Sequence, residues 1–212
     1  MEFSKFIVPI YINNDYYGTG FIVNGMLITA NHVVKNKLHT YFVFNGERHH
    51  VDINRIVAID PLEKCQSTNE AHDLFVCLTD IEKSDLKLSS NFDKKSTCEF
   101  MAYSLNDDNT TISMDYIDDI EVYRNVALDS NYNQLINCLS CKYELKHTNS
   151  GGPLFQQGGI IGMLIRGIDH YGGFHESVFI KSSYIKLMIE KMTGKESSGQ
   201  VLDLFITRYY EE

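Results

Sequence analysis

The stretch Thr148-Asn149-Ser150-Gly151-Gly152-Pro153 is the most informative part of this sequence for fold and function. The apolar residues Leu154 and Phe155 follow it directly. A serine between a polar residue and two glycines, at the start of an apolar strand, is poorly explained by packing. Glycines let a backbone approach a ligand closely and adopt torsions that residues with a Cβ resist. Because a serine hydroxyl is a weak nucleophile by itself, a catalytic role requires a base and a group that orients the base.

Two upstream segments supply candidates for those groups. Ile28-Thr29-Ala30-Asn31-His32-Val33-Val34 places a histidine in a turn after an apolar strand, where its imidazole can face a cleft. His72-Asp73-Leu74-Phe75-Val76 places a carboxylate at the head of another apolar strand. With Ser150 these residues follow the chain order His, Asp, Ser, one of the orders in which a catalytic triad occurs. Asp60, in a loop before a proline, is a less favoured rival to Asp73, and His72 is interpreted as a neighbour only.

Composition and charge limit the class of protein. The 212 residues are 43% hydrophobic with only 3 prolines, which indicates one well-packed domain or two small lobes sharing a core. The net charge of -9 has the wrong sign for a nucleic-acid binder. Apolar runs are too short to span a membrane, and the N-terminus lacks a signal-peptide pattern. The sequence therefore predicts a cytoplasmic protein with no nucleic-acid and no membrane partner.

Short β-rich runs separated by turn signals dominate the chain. Asn24-Gly25 and Asn45-Gly46 are dipeptides typical of hairpin turns. The run from His49 to Ile59 is one of the predicted strands, and the charged stretch from Asp80 to Lys95 is interpreted as the connection between two lobes. Many short strands and one late helix indicate an all-β pair of barrels.

Helical periodicity occurs near the C-terminus. Ser182 or Ser183 is the expected N-cap, and an apolar stripe from Tyr184 to Met192 ends near Thr193-Gly194. In the remaining tail, 194–212, the polar stretch from Lys195 to Gln200 is interpreted as a linker. The apolar segment from Val201 to Tyr210 is interpreted as an extra strand, a partner-binding segment or the remnant of a longer precursor, with the strand slightly favoured.

Metal binding is not expected. The chain has five cysteines, and Cys138 with Cys141 is half a zinc site at best, because no second pair of matching spacing faces it. Buried reduced thiols are the preferred interpretation. The acidic patch from Asp115 to Glu121 lacks the EF-hand spacing, so a solvated face is preferred to a calcium site. The sequence predicts no metal and no cofactor.

Together the three segments resemble the chymotrypsin-fold (trypsin-like) serine peptidases, and most closely their bacterial HtrA/Deg and glutamyl-endopeptidase-like branches. The similarity runs in family order from about Tyr17 to about Met192, without a PDZ-like domain after the helix. Four segments carry the resemblance. The entry segment is Gly18-Thr19-Gly20-Phe21, and the segment around the histidine is Thr29-Ala30-Asn31-His32. The segment around the aspartate is Ile56 to Pro61 with His72-Asp73-Leu74, and the segment around the serine is Asn149 to Leu154 with Ile160-Ile161-Gly162-Met163.

The resemblance implies a fold and residue roles. It implies one peptidase domain over 1–193, made of two six-stranded antiparallel β-barrels over about 1–88 and 96–181 and a C-terminal helix over 183–193. His32 would be the general base, Asp73 would orient it, and Ser150 would attack the substrate carbonyl. Backbone N–H groups of Ser150 and Thr148, with Asn149 between them, would form the oxyanion hole. The edge formed by Ile165, Arg166 and Gly167 would pair with the substrate backbone.

Thr148 departs from the family pattern, which has glycine two residues before the nucleophile. If the hole needs a positive φ there, a β-branched residue is strained, and the free enzyme would hold a collapsed hole that a substrate or partner must open. The sequence also shows no counterpart of the activation peptide of secreted trypsins, so activation by insertion of a new N-terminus is not expected.

Specificity is less defined. Glu144 occupies the position of the acid on the floor of the trypsin pocket, which would favour Arg or Lys, but a solvated loop carboxylate is the preferred alternative. His147, His175 and Ser177 flank the expected pocket. Leu164 stands where acid- and glutamine-specific branches have a histidine, which disfavours those specificities.

Three functions stay open. The leading hypothesis is a cytoplasmic serine endopeptidase that acts on proteins or peptides through an acyl-enzyme and is restrained by a partner, by an effector or by access to its substrate; an activating protein partner is one option. The second is an inactive pseudo-peptidase that binds peptides or scaffolds a complex, as the Thr148 departure suggests. The third is a viral polyprotein-processing protease.

Overall fold

Two curled antiparallel sheets of seven strands each make up most of the molecule. The computed structural model describes residues 2–34, 39–60, 70–81, 84–106, 110–129, 131, 133–170 and 173–194. The first sheet contains β1 Ile7–Ile12, β2 Asp15–Val23, β3 Met26–Ala30, β4 Thr40–Phe44, β5 Glu47–His50, β6 Ile56–Asp60 and β7 Leu74–Leu78.

The second sheet is built from the C-terminal half of the chain. Its strands are β8 Cys98–Leu105, β9 Ile112–Ile120, β10 Val122–Arg124, β13 Cys138–Cys141, β14 Pro153–Gln156, β15 Gly159–His170 and β16 Phe174–Lys181. A small two-stranded sheet precedes β13 and pairs β11 Ala127–Leu128 with β12 Gln134–Leu135. Helix α1 covers Ser182–Thr193, and 3-10 turns cover Glu2–Phe6, Asn31–Val34, Ile53–Arg55 and His147–Asn149.

Each sheet curls until its two ends meet at one interrupted strand. The strand orders are β5-β4-β1-β2-β3-β7-β6 and β10-β13-β16-β15-β14-β8-β9, so the two end strands of each sheet are consecutive along the chain. Only Glu121 separates β9 from β10. Counting each interrupted strand once gives six strands per sheet. The predicted pair of six-stranded antiparallel barrels with a C-terminal helix is confirmed.

The predicted continuous strand from His49 to Ile59 is wrong in one respect, because it is broken between β5 and β6. The break is a 3-10 turn over Ile53–Arg55 that is capped by the side chain of Asp52, which accepts from the Asn54 N–H at 2.9 Å. An aspartate that bonds to the backbone two residues later favours a turn over a strand.

The local turn and helix signals are largely confirmed. The hairpin dipeptides have positive φ at both positions, 51° and 78° at Asn24-Gly25 and 50° and 82° at Asn45-Gly46. Gly194 ends α1 with φ 66°, as its sequence position predicts. The N-cap is Lys181 and not a serine, because β16 runs into the helix without a loop.

Apolar side chains of both barrels and of α1 form one large buried cluster. Phe21, Phe42 and Phe75 lie within it, and α1 contributes Tyr184, Ile185 and Ile189. A second cluster fills the C-terminal barrel, where the rings of Phe100 and Phe179 meet edge-to-face at 5.9 Å. The shared core fixes the crevice between the barrels.

The described cysteines are buried free thiols at positions 77, 98, 138 and 141. Burial raises the pKa of the Cys141 thiol to about 12. Cys65 and residues 195–212 of the tail lie outside the described residues. None of the helices described is long and apolar enough to cross a membrane.

Candidate active site

His32 and Asp73 are in direct contact. The His32 Nδ1 lies 2.6 Å from Asp73 Oδ2, and the His32 backbone N–H donates to Oδ1 at 2.9 Å. The Asn31 N–H adds a bond to the Asp73 carbonyl oxygen at 3.2 Å. Asp73 is 1% exposed, whereas the His32 side chain is 34% exposed. Since a carboxylate oxygen only accepts, Nδ1 carries the proton and Nε2 is left as the basic nitrogen.

Asp60, the rival carboxylate, is not the partner of His32. It is buried and bonds to His72 and Tyr184 instead. Both contacts belong to a separate buried cluster on the other side of the segment that carries Asp73.

Ser150 occupies a turn that only glycine can follow. Gly151 has φ +85°, and a Cβ on it would lie 1.9 Å from the carbonyl oxygen of Thr19. That position therefore tolerates no side chain. The Ser150 carbonyl accepts from the Thr19 N–H at 2.8 Å, and the Gly151 N–H donates to Leu164 O at 2.8 Å. The Ser150 segment is thus held between β2 and β15.

One of the two donors expected to form the oxyanion hole, the Ser150 N–H, faces a protein carbonyl. The 3-10 turn His147–Asn149 precedes Ser150, and Thr148 within it has a negative φ. The Ser150 Oγ donates to His147 O at 3.1 Å, and the Ser150 N–H approaches the same oxygen at 3.5 Å. A hydroxyl whose one proton goes to His147 O cannot donate it to His32 at the same time. The turn is thus in a collapsed form, with an acceptor among the expected oxyanion donors.

Side chains of both barrels hold this collapsed turn. The Tyr16 hydroxyl lies 2.8 Å from Thr148 O and 2.7 Å from Tyr103 O. Asn149 is 1% exposed, and its amide donates to Tyr103 O at 3.0 Å and accepts from the Lys146 N–H at 2.9 Å. Burial raises the pKa of Tyr16, which keeps the phenol protonated as a donor.

The sequence does not predict this role for Tyr16, nor the contact of Asp115, whose carboxylate accepts from the Asn149 amide at 3.3 Å. Tyr16 precedes the glycine-rich entry segment by two residues, but nothing in its own neighbourhood indicates contact with position 148. Asp115 belongs to the acidic patch, which was interpreted as a solvated face.

His32, Asp73 and Ser150 line one cleft of about 550 Å³ between the barrels. The cleft also contains every residue predicted to bind substrate, namely Glu144, His147, Ile165, Arg166, Gly167 and Ser177, together with His175. Glu144 is exposed, unlike a charge on a pocket floor. The Ser177 Oγ accepts from the Leu145 N–H at 3.3 Å and donates to Tyr143 O, so its hydrogen bonds support the adjacent loop.

Among the residues that the structure describes, the strand edge predicted to bind the substrate backbone has no partner strand on one side. β14 pairs with β15 only from Gly159 to Met163, whereas β16 pairs with β15 as far as His170. Residues 165–167 therefore present one hydrogen-bonding edge toward the cleft, which is the requirement for adding a peptide strand.

Fold and cleft together define a chymotrypsin-like double-barrel protein. The chain belongs to the trypsin family, because that family's model, described as Trypsin, matches residues 2–189. A search of curated proteins found no match.

Solved structures with the same fold are distant in sequence. An inactive form of a Ser343Ala mutant of Rv3671c from M. tuberculosis H37Rv shares 13% identity at a TM-score of 0.63, covering 93% of this chain and 91% of that chain. The scabies mite inactivated protease paralogue S-D1 shares 14% sequence identity at a TM-score of 0.64, covering 92% of this chain and 94% of that chain. Mouse neuropsin, a serine protease, shares 13% sequence identity at a TM-score of 0.64, covering 88% of this chain and 93% of that chain. At these identities the similarity concerns the fold alone.

Proposed function

We propose that the protein is a serine endopeptidase that uses Ser150, His32 and Asp73 as its catalytic triad. The observation that carries the proposal is the buried Asp73 carboxylate 2.6 Å from His32 Nδ1, in the same cleft as Ser150. This bond fixes the imidazole tautomer that a general base needs.

In the proposed reaction, Ser150 Oγ attacks the carbonyl carbon of the scissile peptide bond while its proton moves to His32 Nε2. The C–N bond then breaks, His32 returns the proton to the leaving amine, and an acyl-enzyme remains on Oγ. Water hydrolyses this ester by the reverse sequence of proton transfers, which regenerates the hydroxyl. The edge at 165–167 holds the substrate backbone during both steps.

The collapsed turn makes the free enzyme latent in this proposal. Backbone N–H groups of Thr148 and Ser150 stabilise the oxyanion only after the His147 carbonyl turns away, and a bound substrate or an activating protein partner supplies the free energy for that change. On motif resemblance we group the protein with the HtrA/Deg and glutamyl-endopeptidase-like branches. We also propose a cytoplasmic location, which its free thiols suit.

A fluorophosphonate probe tests the proposal, because it reacts only with an activated serine. We expect labelling of the wild-type protein, faster in the presence of an activating partner and slowed by peptide substrates that compete for Ser150, and none of Ser150→Ala. Profiling both proteins on a peptide library identifies the cleaved bond. Wild-type protein that stays unlabelled with every peptide and partner offered, while a trypsin control reacts, would exclude the proposal.

A pseudo-peptidase that binds peptides is the second candidate, and the contact of both Ser150 donors with His147 O favours it. It shares the open strand edge but performs no chemistry. Calorimetry separates the two candidates: a pseudo-peptidase binds library peptides equally well as wild type and as Ser150→Ala, and returns them uncleaved.

A further inference from the structure

A buried polar cluster lies directly behind the segment that carries Asp73. The His72 Nδ1 is 2.9 Å from both carboxylate oxygens of Asp60, and the Tyr184 hydroxyl donates to Asp60 Oδ2 at 2.8 Å. Asp60, His72 and Tyr184 are 3%, 8% and 7% exposed. The three residues come from the end of β6, the residue before Asp73 and the first turn of α1.

Such a cluster needs an explanation beyond packing. An unpaired buried carboxylate is costly, so removing one of its two donors leaves a charge poorly compensated in the core. Burial and the adjacent carboxylate of Asp60 raise the pKa of Tyr184, which therefore remains a donor. The other ionisable groups acting on Tyr184 are Glu70 and Cys138.

The C-terminal barrel holds the same segment from a second direction. The Asn137 side chain accepts from the Ala71 N–H at 2.8 Å and donates to the Ala71 carbonyl at 2.7 Å. Three consecutive residues therefore each bond to a different part of the chain. Ala71 bonds to Asn137, His72 bonds to Asp60, and Asp73 bonds to His32. His72 cannot move without moving the backbone of Asp73.

We propose that Asp60, His72 and Tyr184 are positioning residues that fix the Asp73 carboxylate against His32 and thereby couple helix α1 to the active site. They touch neither substrate nor the reacting atoms. The catalytic consequence rests on the proposed peptidase function, whereas the geometric consequence, the state of the His32–Asp73 bond, can be measured without it.

The test uses the low-field proton NMR signal of His32 Nδ1, assigned by its loss in His32→Gln, in the full-length protein. Tyr184→Phe removes only the hydroxyl, and His72→Leu removes the imidazole donor. In both, we expect the signal to shift and broaden. His72→Asn places an amide N–H close to the position of Nδ1 and is expected to restore the signal. Tyr41→Phe is the matched control, since its hydroxyl donates to Asn14 away from the Asp73 segment.

Kinetics provide the second readout. For folded protein, as checked by circular dichroism, we expect the fluorophosphonate labelling rate and kcat to fall on the order of tenfold in Tyr184→Phe and on the order of a hundredfold in His72→Leu, with KM unchanged. A lower melting temperature accompanied by an unchanged His32 signal and labelling rate would reduce the cluster to a structural role and overturn the proposal.

Failure of the peptidase function gives a different pattern. Wild-type protein would then never label, yet its His32 signal would still respond to Tyr184→Phe and not to Tyr41→Phe if the positioning inference holds. A signal identical in wild type, Tyr184→Phe and His72→Leu overturns the inference whether or not the protein is active.

Discussion

Thr148→Gly tests whether the collapsed turn limits activity. Opening the turn requires rotation of the peptide between His147 and Thr148, so that the Thr148 N–H replaces the His147 carbonyl oxygen that now accepts from Ser150. If this rotation brings residue 148 to a positive φ, the open turn is destabilised by about 1–2 kcal/mol with an L-residue at this position, whereas glycine adopts the same φ with almost no strain. The negative φ of Thr148 in the closed turn agrees with that preference.

The expected gain follows from this difference. A change of about 1–2 kcal/mol multiplies the open population about 5–30-fold while the open form is a minor species. Because only the open form stabilises the oxyanion in the proposed mechanism, we expect the same increase in kcat/KM and in the second-order rate constant of fluorophosphonate labelling.

Thr148→Ala is the matched control, because it removes the β-branch and keeps the Cβ. It is expected to change the labelling rate by less than about threefold, since most of the strain at positive φ comes from the Cβ. Equal gains in Thr148→Ala and Thr148→Gly, or no gain in Thr148→Gly, would show that backbone strain at this position is not the barrier.

Three other substitutions address the stability and specificity of the site. Tyr16→Phe should lower the free energy of unfolding in urea by about 1–3 kcal/mol, because the partly buried carbonyl oxygens of Thr148 and Tyr103 lose the single phenol proton that lies between them; an unchanged midpoint would contradict this. Glu144→Gln should alter kcat/KM for Arg substrates by less than about fivefold, since an exposed charge pair contributes little; a far larger loss would restore Glu144 as the pocket-floor acid. Gly151→Ala should cost about 3 kcal/mol or more, because its Cβ would meet a carbonyl oxygen at 1.9 Å at a positive φ; near wild-type stability on denaturation would refute the clash.

Features determined by local sequence were predictable. The Asn-Gly turns and the end of α1 depend on the φ preference of single residues. The segments of His32, Asp73 and Ser150 were recognisable because each combines a polar residue with an apolar strand beside it. Their arrangement in one cleft follows from the fold that their order indicates.

Features determined by contact between distant segments were not predictable. Tyr16 and Thr148 are 132 positions apart, and Asp60 and Tyr184 are 124 positions apart. Because no periodicity links such pairs, the sequence predicts His72 only as a neighbour of Asp73 and Asp60 only as a rival to Asp73. The collapsed turn depends on the same kind of contact.

Reciprocal contacts between the barrels explain why these distant pairs gather at the site. β2 of the N-terminal barrel holds the Ser150 segment through the Thr19 N–H, and a Cβ on Gly18 would lie 2.9 Å from Ser150 O. The C-terminal half holds the Asp73 segment in return. The Asn137 side chain bonds to the backbone of Ala71, and the Tyr184 hydroxyl bonds to Asp60, whose carboxylate also contacts His72. Because His32 and Asp73 lie on one barrel and Ser150 on the other, the relative position of the barrels sets the geometry of the proposed triad. Changes at these contacts should therefore impair the site before they unfold either barrel.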